Sequence, residues 1–170
     1  VVLTAYTSAI FSVTTTADSG AGSLRQAILD ANSHPLADNI VFAIAGAGVQ
    51  TITPTSALPT ITQAVTLDGT TQPGYAGSPL IELNGTNAGN VDGFVITGSG
   101  STVKGFVINR FGQSGIKITG AGASGNLITS NYLGTNAAGT SALGNAYGIA
   151  IQGSAAGNTI GGSTAAARNV

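Results

Sequence analysis

The chain contains no cysteine, no methionine and no tryptophan. The lack of cysteine excludes a disulfide framework and thiol chemistry; it is compatible with an oxidising exterior without demanding one. The lack of methionine means that the sequence does not open on an initiator, and it reads as a processed product or an excerpt. Charge is scarce: 6% of the 170 residues are Asp, Glu, Lys or Arg, against about 25% in an ordinary soluble domain. There is one histidine, His34. No apolar run approaches the roughly 20 residues that a membrane-spanning helix needs, so no span is expected.

What is present points to strands. Hydrophobic residues make up 42% of the chain and the net charge is only −1, which excludes the composition of a disordered protein. Lys, Glu and Leu are too few for a helical bundle. Glycine, at 26 residues, is about twice its usual share. Many short strands joined by Gly, Asn, Ser and Thr turns fit this balance.

The few charges are unevenly placed. Residues 1–92 hold all six acids and one base, net −5; residues 93–170 hold Lys104, Arg110, Lys117 and Arg168 and no acid, net +4. One reading is a chance distribution of few charges. The other is two ends of opposite sign, able to dock head to tail or to attract an acidic polymer.

Along the chain, Val1–Ile10 is apolar and lacks a basic flank. It reads as a first strand, the alternative being the tail of a signal peptide with Thr7-Ser8-Ala9 as cleavage site. Phe11–Thr16 alternates and is β-branched, as strands are. One helix is predicted next. Ser23 and Gln26 have capping-box spacing, Leu24, Ala27, Ile28 and Ala31 share one face, and Pro35 stops the helix near Ser33. A single amphipathic helix before many strands suits a lid over an open end of the core.

From Asn39 onward only strands and turns are expected. The pattern apolar, any, apolar, short polar, Gly recurs at Val65–Gly69, Ile81–Gly85, Phe94–Gly98, Ile116–Gly120 and Ile149–Gly153. Its first and third residues would face inward. Phe94 to Ile116 is a step of 22 residues, and a second strand family interleaves at Val103, Leu127 or Ile128, and Ile160. Such a period without helices points to a solenoid. Ile116 to Ile149 is longer, which places a polar insert in Gly134–Ala146. Asparagine recurs at turns 109, 126, 131, 158 and 169. There it is either a good turn former or a ladder of stacked amides. The expected fold is therefore all-β: a right-handed parallel β-helix with a short N-terminal capping α-helix. Residues 1–38 would supply the first strand and the cap, and residues 39–170 the coils, as one continuous structural domain.

Ser12–Gly20 followed by Gly22-Ser23-Leu24-Arg25-Gln26-Ala27-Ile28 resembles the N-terminal domain named for its C-S-L-R-E-A motif, which opens many large bacterial surface and secreted proteins. Ala57–Ile61 and Leu67–Gly74 are similar to the stretch that follows that motif. Asn126–Ile128, Tyr132–Asn136 and Asn158–Gly162 look like its β-helix repeats. The motif's Cys is Gly22 here and its Glu is Gln26. The resemblance covers about residues 11–170. It implies a bacterial extracellular or cell-surface location, further coils beyond Arg168-Asn169-Val170, and surface display, adhesion or matrix association.

Catalytic chemistry is not expected. Glycoside hydrolysis needs two facing carboxylates, and no acid follows Asp92. Glu82 lies between inward Ile81 and Leu83 and should point outward; Asp68 and Asp92 each precede a glycine, as turn carboxylates do. His34 has no His or Cys companion for a metal and no nucleophile motif beside it. No EF-hand loop or P-loop is present. No cofactor or metal is expected. Few bases and a pI near 5.5 argue against nucleic acid. The candidate binding or assembly surface is Lys104, Arg110 and Lys117, within two coils; the candidate strand-donating segment is Val1, Val2, Leu3 and Ile10.

Three functions compete. The first is a non-catalytic extracellular structural or adhesive module binding acidic or neutral polysaccharide. The second is a self-assembling subunit of a filament or sheath, joined head to tail or by strand donation. The third is a carbohydrate-active enzyme using Asp68, Glu82 and Asp92.

Overall fold

The computed structural model describes residues 7–170. Val1, Val2 and Leu3 of the expected strand-donating segment lie outside the described residues. The strands are β1 (Ile10–Val13), β2 (Asp38–Phe42), β3 (Gln50–Ile52), β4 (Val65–Asp68), β5 (Ile81–Asn84), β6 (Phe94–Ile96), β7 (Thr102–Lys104), β8 (Phe106–Asn109), β9 (Ser114–Thr119), β10 (Leu127–Thr129), β11 (Tyr132–Leu133), β12 (Tyr147–Gln152) and β13 (Thr159–Ile160). One α-helix, α1 (Leu24–Ser33), lies between β1 and β2.

Every strand pairing among the described residues is parallel. The strands form three sheets in the orders β1-β2-β4-β7-β10-β13, β11-β8-β5-β3 and β12-β9-β6. From β4 onward, successive strands visit the six-, four- and three-stranded sheets in turn. The triplets β4–β5–β6, β7–β8–β9 and β10–β11–β12 therefore lie in register beside one another.

The expected all-β class, a right-handed parallel β-helix solenoid with a helical cap, is corrected by this arrangement. Among the described residues the chain is a small α/β protein, with one α-helix and three parallel sheets of six, four and three strands. The apolar-x-apolar alternation read from the sequence decides which side of a strand is buried. It does not decide which sheet a strand joins or how many strands that sheet holds. The helix is also more than an appendage: Leu24, Ala27, Ile28 and Ala31 are part of the same buried cluster as the strand residues.

The predicted alternation holds in detail. Val65 and Leu67, Ile81 and Leu83, Phe94 and Ile96, and Ile116 and Ile118 are all buried, whereas Thr66, Glu82, Val95 and Lys117 between them are half-exposed. Phe106 sits at the centre of the core, edge-on to Phe42 at 5.3 Å and to Phe94 at 5.5 Å, a favoured aromatic geometry.

Ser23 caps α1, its hydroxyl accepting from the Gln26 N–H at 3.2 Å. Gln26 does not reciprocate; its amide donates to Asp30 at 2.8 Å. Only half of the expected capping box is made. The polar insert lies where the spacing placed it, between β11 and β12. Asn136 organises it, with its Oδ1 accepting from the N–H groups of Thr140 and Ser141, and Thr135 bridges Ala142.

Glycine is required where triplets meet. A Cβ at Gly69 would stand 2.3 Å from the Gly105 carbonyl oxygen, and one at Gly93 would stand 2.4 Å from that of Gly115. Neither gap admits a methyl group.

Candidate functional site

All six carboxylates are engaged by neighbouring groups. Asp18 takes a bond from Arg25 at 2.7 Å and one from the Thr55 hydroxyl at 2.7 Å. Partial burial pushes its carboxyl upward, but the hydrogen bonds from Thr55 and Arg25 and the Arg25 charge outweigh that and hold it below its usual 3.8. Arg25 also donates to the carbonyls of Ala57 and Ser56, so the pair ties the start of α1 to the loop after β3. Asp30 receives Gln26. Asp38 is buried at the start of β2. Its Oδ1 accepts from the Ala9 N–H at 2.7 Å and lies 2.8 Å from His34 Nδ1, anchoring the entry to β1.

The three acids weighed as catalytic candidates are equally occupied. Asp68 caps the turn after β4 by accepting from Thr70 and pairs with Lys104 at 2.8 Å. Glu82 points outward as expected and bridges sheet neighbours, accepting from Thr51 at 2.7 Å and from Asn109 at 2.8 Å. Asp92 accepts from the Ser114 N–H at 2.9 Å and pairs with Lys117 at 3.4 Å. Among the described residues, no group of three or more His, Asp or Glu is placed to hold a metal.

Lys104, Arg110 and Lys117 do not form one face. Lys104 is on β7 in the six-stranded sheet, Arg110 follows β8 of the four-stranded sheet, and Lys117 is on β9 of the three-stranded sheet. Two of them are neutralised by acids one triplet back. These pairs join the acidic first half to the basic second half, so much of the apparent charge asymmetry is cancelled inside the molecule. Arg110 is exposed and stands at a corner with φ of 59°. Ile10 is 69% exposed on β1, where it is registered with Asn39 of β2.

The asparagines form two hydrogen-bonded rows. Asn126 Oδ1 accepts from the Ser101 N–H at 2.8 Å; Asn158 Oδ1 in turn accepts from the Asn126 N–H and side-chain amide, both at 2.9 Å. At the next corner, Asn131 Oδ1 accepts from Phe106 N–H at 3.0 Å and Asn169 Oδ1 accepts from Asn131 N–H at 3.1 Å. Each side-chain amide also donates to a carbonyl of the preceding triplet, as Asn131 does to Val103 at 3.0 Å. Of the two readings open for the recurrent asparagines, the amide ladder forms at Asn126, Asn131, Asn158 and Asn169 but not at Asn109.

Both rows end at one place. There, β13 and β12 are the last strands of their sheets. Ile151 and Ile160 are registered with the fully buried Ile118 and Ile128, yet they are 46% and 43% exposed. They point the same way as the core residues and lack a neighbour above them. A shallow groove lined by Leu127, Thr129, Thr159 and Gly161 runs beside them.

Sequence reasoning missed one polar clamp, Gln72, and the partners of another, Asn109. Gln72 is buried, its side chain bonding both the N–H and the carbonyl of Ile44 at 3.0 and 2.7 Å. Asn109, also buried, donates to Glu82 and to the Thr135 carbonyl. Asn109 was marked by the recurrence of asparagine at turns, and in the structure it is registered with Asn84; nothing local marks Gln72. Among the described residues, no helix is long and apolar enough to cross a membrane.

The chain matches no protein-family model, and no curated protein is significantly similar to it in sequence.

Proposed function

We propose that this chain is a non-catalytic structural or adhesive module of a bacterial extracellular protein, working through contacts on its surface. The observation that carries the reading is the use made of its acids. Hydrolysis or elimination needs carboxylates or bases aimed at a substrate with room beside them. Here Asp68, Glu82 and Asp92 bind threonines, an asparagine, a main-chain N–H and two lysines of adjoining strands. Such bonds fix the registers of neighbouring triplets. The extracellular location is carried by the resemblance of Ser12–Ile28 to the domain that opens bacterial surface and secreted proteins.

The test is turnover of a panel of acidic and neutral polysaccharides, followed by new reducing ends and by the absorbance of unsaturated uronates. No turnover is expected, and Asp68→Ala, Glu82→Ala and Asp92→Ala each lower the melting temperature. Turnover that disappears in one of these variants while its fold and stability persist would sink the reading.

A further inference from the structure

Asn84-Gly85-Thr86 is the one Asn-x-Ser/Thr sequence in the chain, and no proline occupies its middle position. Asn84 ends β5, and its side-chain oxygen accepts from the Thr86 N–H at 3.0 Å and from the Thr86 hydroxyl at 2.6 Å. The turn after β4 is built in the same way, with Asp68 accepting from the N–H and the hydroxyl of Thr70. A carboxylate therefore serves this turn as a carboxamide does. What Asn84 adds is its Nδ2, and the fold makes no use of it. The Nδ2 atoms of Asn109, Asn126, Asn131, Asn158 and Asn169 each donate to a main-chain carbonyl. That of Asn84 has no partner among the described residues and is open to solvent. Asn84 itself is half-exposed, and Thr86, Asn87, Gly89 and Asn90 after it are exposed. Gly85 is set by packing, since a Cβ there would stand 2.6 Å from the Phe111 ring.

We propose that Asn84 is an acceptor for an N-linked oligosaccharide. This rests on the reading that the chain works outside the cell. Asn-x-Ser/Thr is the sequence that N-glycosyl transferases read, and a glycan there lies on the surface. Bacterial transferases of this class also read an acid two places before the asparagine, where Glu82 stands. In the reaction, Nδ2 bonds to the anomeric carbon of a sugar carried on a polyprenyl diphosphate. The bond from that carbon to the diphosphate oxygen breaks, the diphosphate leaves with the electron pair, and one Nδ2 proton passes to a base of the transferase. Attachment replaces a hydrogen that no neighbour uses, so the turn keeps both of its bonds to Oδ1. The glycan projects from the corner between β5 and β6. Only 6% of the residues are charged, and a bulky hydrated substituent supplies solubility that so few charges do not.

The test expresses the full chain, fused to a cleavable export signal, in a bacterium that carries a bacterial N-oligosaccharyltransferase and its lipid-linked oligosaccharide. Intact mass and fragmentation of the modified peptide are the readouts. The mass of one glycan, mapped to Asn84, is expected. Thr86→Ser should keep the glycan and Thr86→Ala should remove it. Asn84→Asp should remove it too, while its melting temperature stays close to that of the wild-type chain made without the transferase, because Asp68 shows that an aspartate holds this turn. A wild-type chain that gains no glycan, or a glycan that survives in Asn84→Asp or Thr86→Ala, would overturn the proposal. So would an Asn84→Asp chain that no longer folds, which would make the carboxamide a requirement of the fold. Export is supplied by the fused signal, so a missing glycan counts against the site and not against the extracellular reading. Polysaccharide turnover would refute the proposed function and leave the glycan in place, so the two failures are distinguishable.

Discussion

Replacing Asn126 with alanine tests the amide rows directly. Asn126 is 1% exposed. Its side chain accepts from the Ser101 N–H at 2.8 Å and donates to the Gly98 carbonyl at 3.1 Å and to Asn158 Oδ1 at 2.9 Å. Alanine leaves the Ser101 N–H and one lone pair of the Gly98 carbonyl without partners in a position that water reaches poorly. An unsatisfied buried polar group costs about 1–3 kcal/mol, so the loss should be roughly 3 kcal/mol. For a chain of this size that lowers the melting temperature by about 6–12 °C. Asn158→Ala removes the equivalent acceptor at the exposed end of the same row. Water replaces it there, and the loss should be about 1 kcal/mol. The chain has no tryptophan, so urea unfolding is best followed by far-UV circular dichroism. Equal losses in the two variants, or a loss below about 0.5 kcal/mol for Asn126→Ala, would refute the claim that the row is a buried, cooperative element.

Three further outcomes follow from particular contacts. Gly69→Ala forces a methyl group to within 2.3 Å of the Gly105 carbonyl and should cost about 2–3 kcal/mol, whereas Gly144→Ala meets nothing within 4 Å and should fall within about 0.5 kcal/mol of wild type; urea midpoints compare them. Asp18→Asn should change the acid limb of the stability curve. The folded pKa of Asp18 lies below its usual 3.8, so its contribution is complete above that value and is lost as pH falls through the folded value. The variant should be less stable at neutral pH and lose less stability on acidification below about pH 4; parallel curves would contradict this. Ser23→Ala should cost about 1 kcal/mol by uncapping α1. Gln26→Ala should stay within about 0.5 kcal/mol, because Gln26 does not complete the box, and thermal melts of the two variants settle the point.

Much of the local structure was legible because it depends on near neighbours. The helix follows from Ser23, the spacing of Leu24, Ala27, Ile28 and Ala31, and Pro35, and it forms at Leu24–Ser33. Strand faces follow from alternation, and the insert follows from one interval that is too long. The asparagine row was visible as a recurrence at corners. The class was not, because alternation is blind to sheet membership and to the share of the core that α1 supplies. Contacts across sheets were also hidden. Asp68 meets Lys104 and Asp92 meets Lys117 only once the triplets are in register, so residues that looked like one basic patch became two local ion pairs and an isolated arginine. Gln72 is the sharpest case: a polar residue in a turn-like stretch, Thr-Gln-Pro-Gly, turned inward to serve the main chain of Ile44.

The one-way sense of the asparagine bonds also sets a schedule for synthesis. A chain leaving the ribosome exposes its N-terminal triplets first, with α1 already laid over them. Each new triplet then brings the acceptors that the previous one lacks: Asn126 for Ser101, Asn158 for Asn126, Asn131 for Phe106, Asn169 for Asn131. The corners beside β7 and β10 are thus completed one step late. A chain halted before the next corner asparagine would leave the corner N–H groups at its edge without their side-chain acceptors.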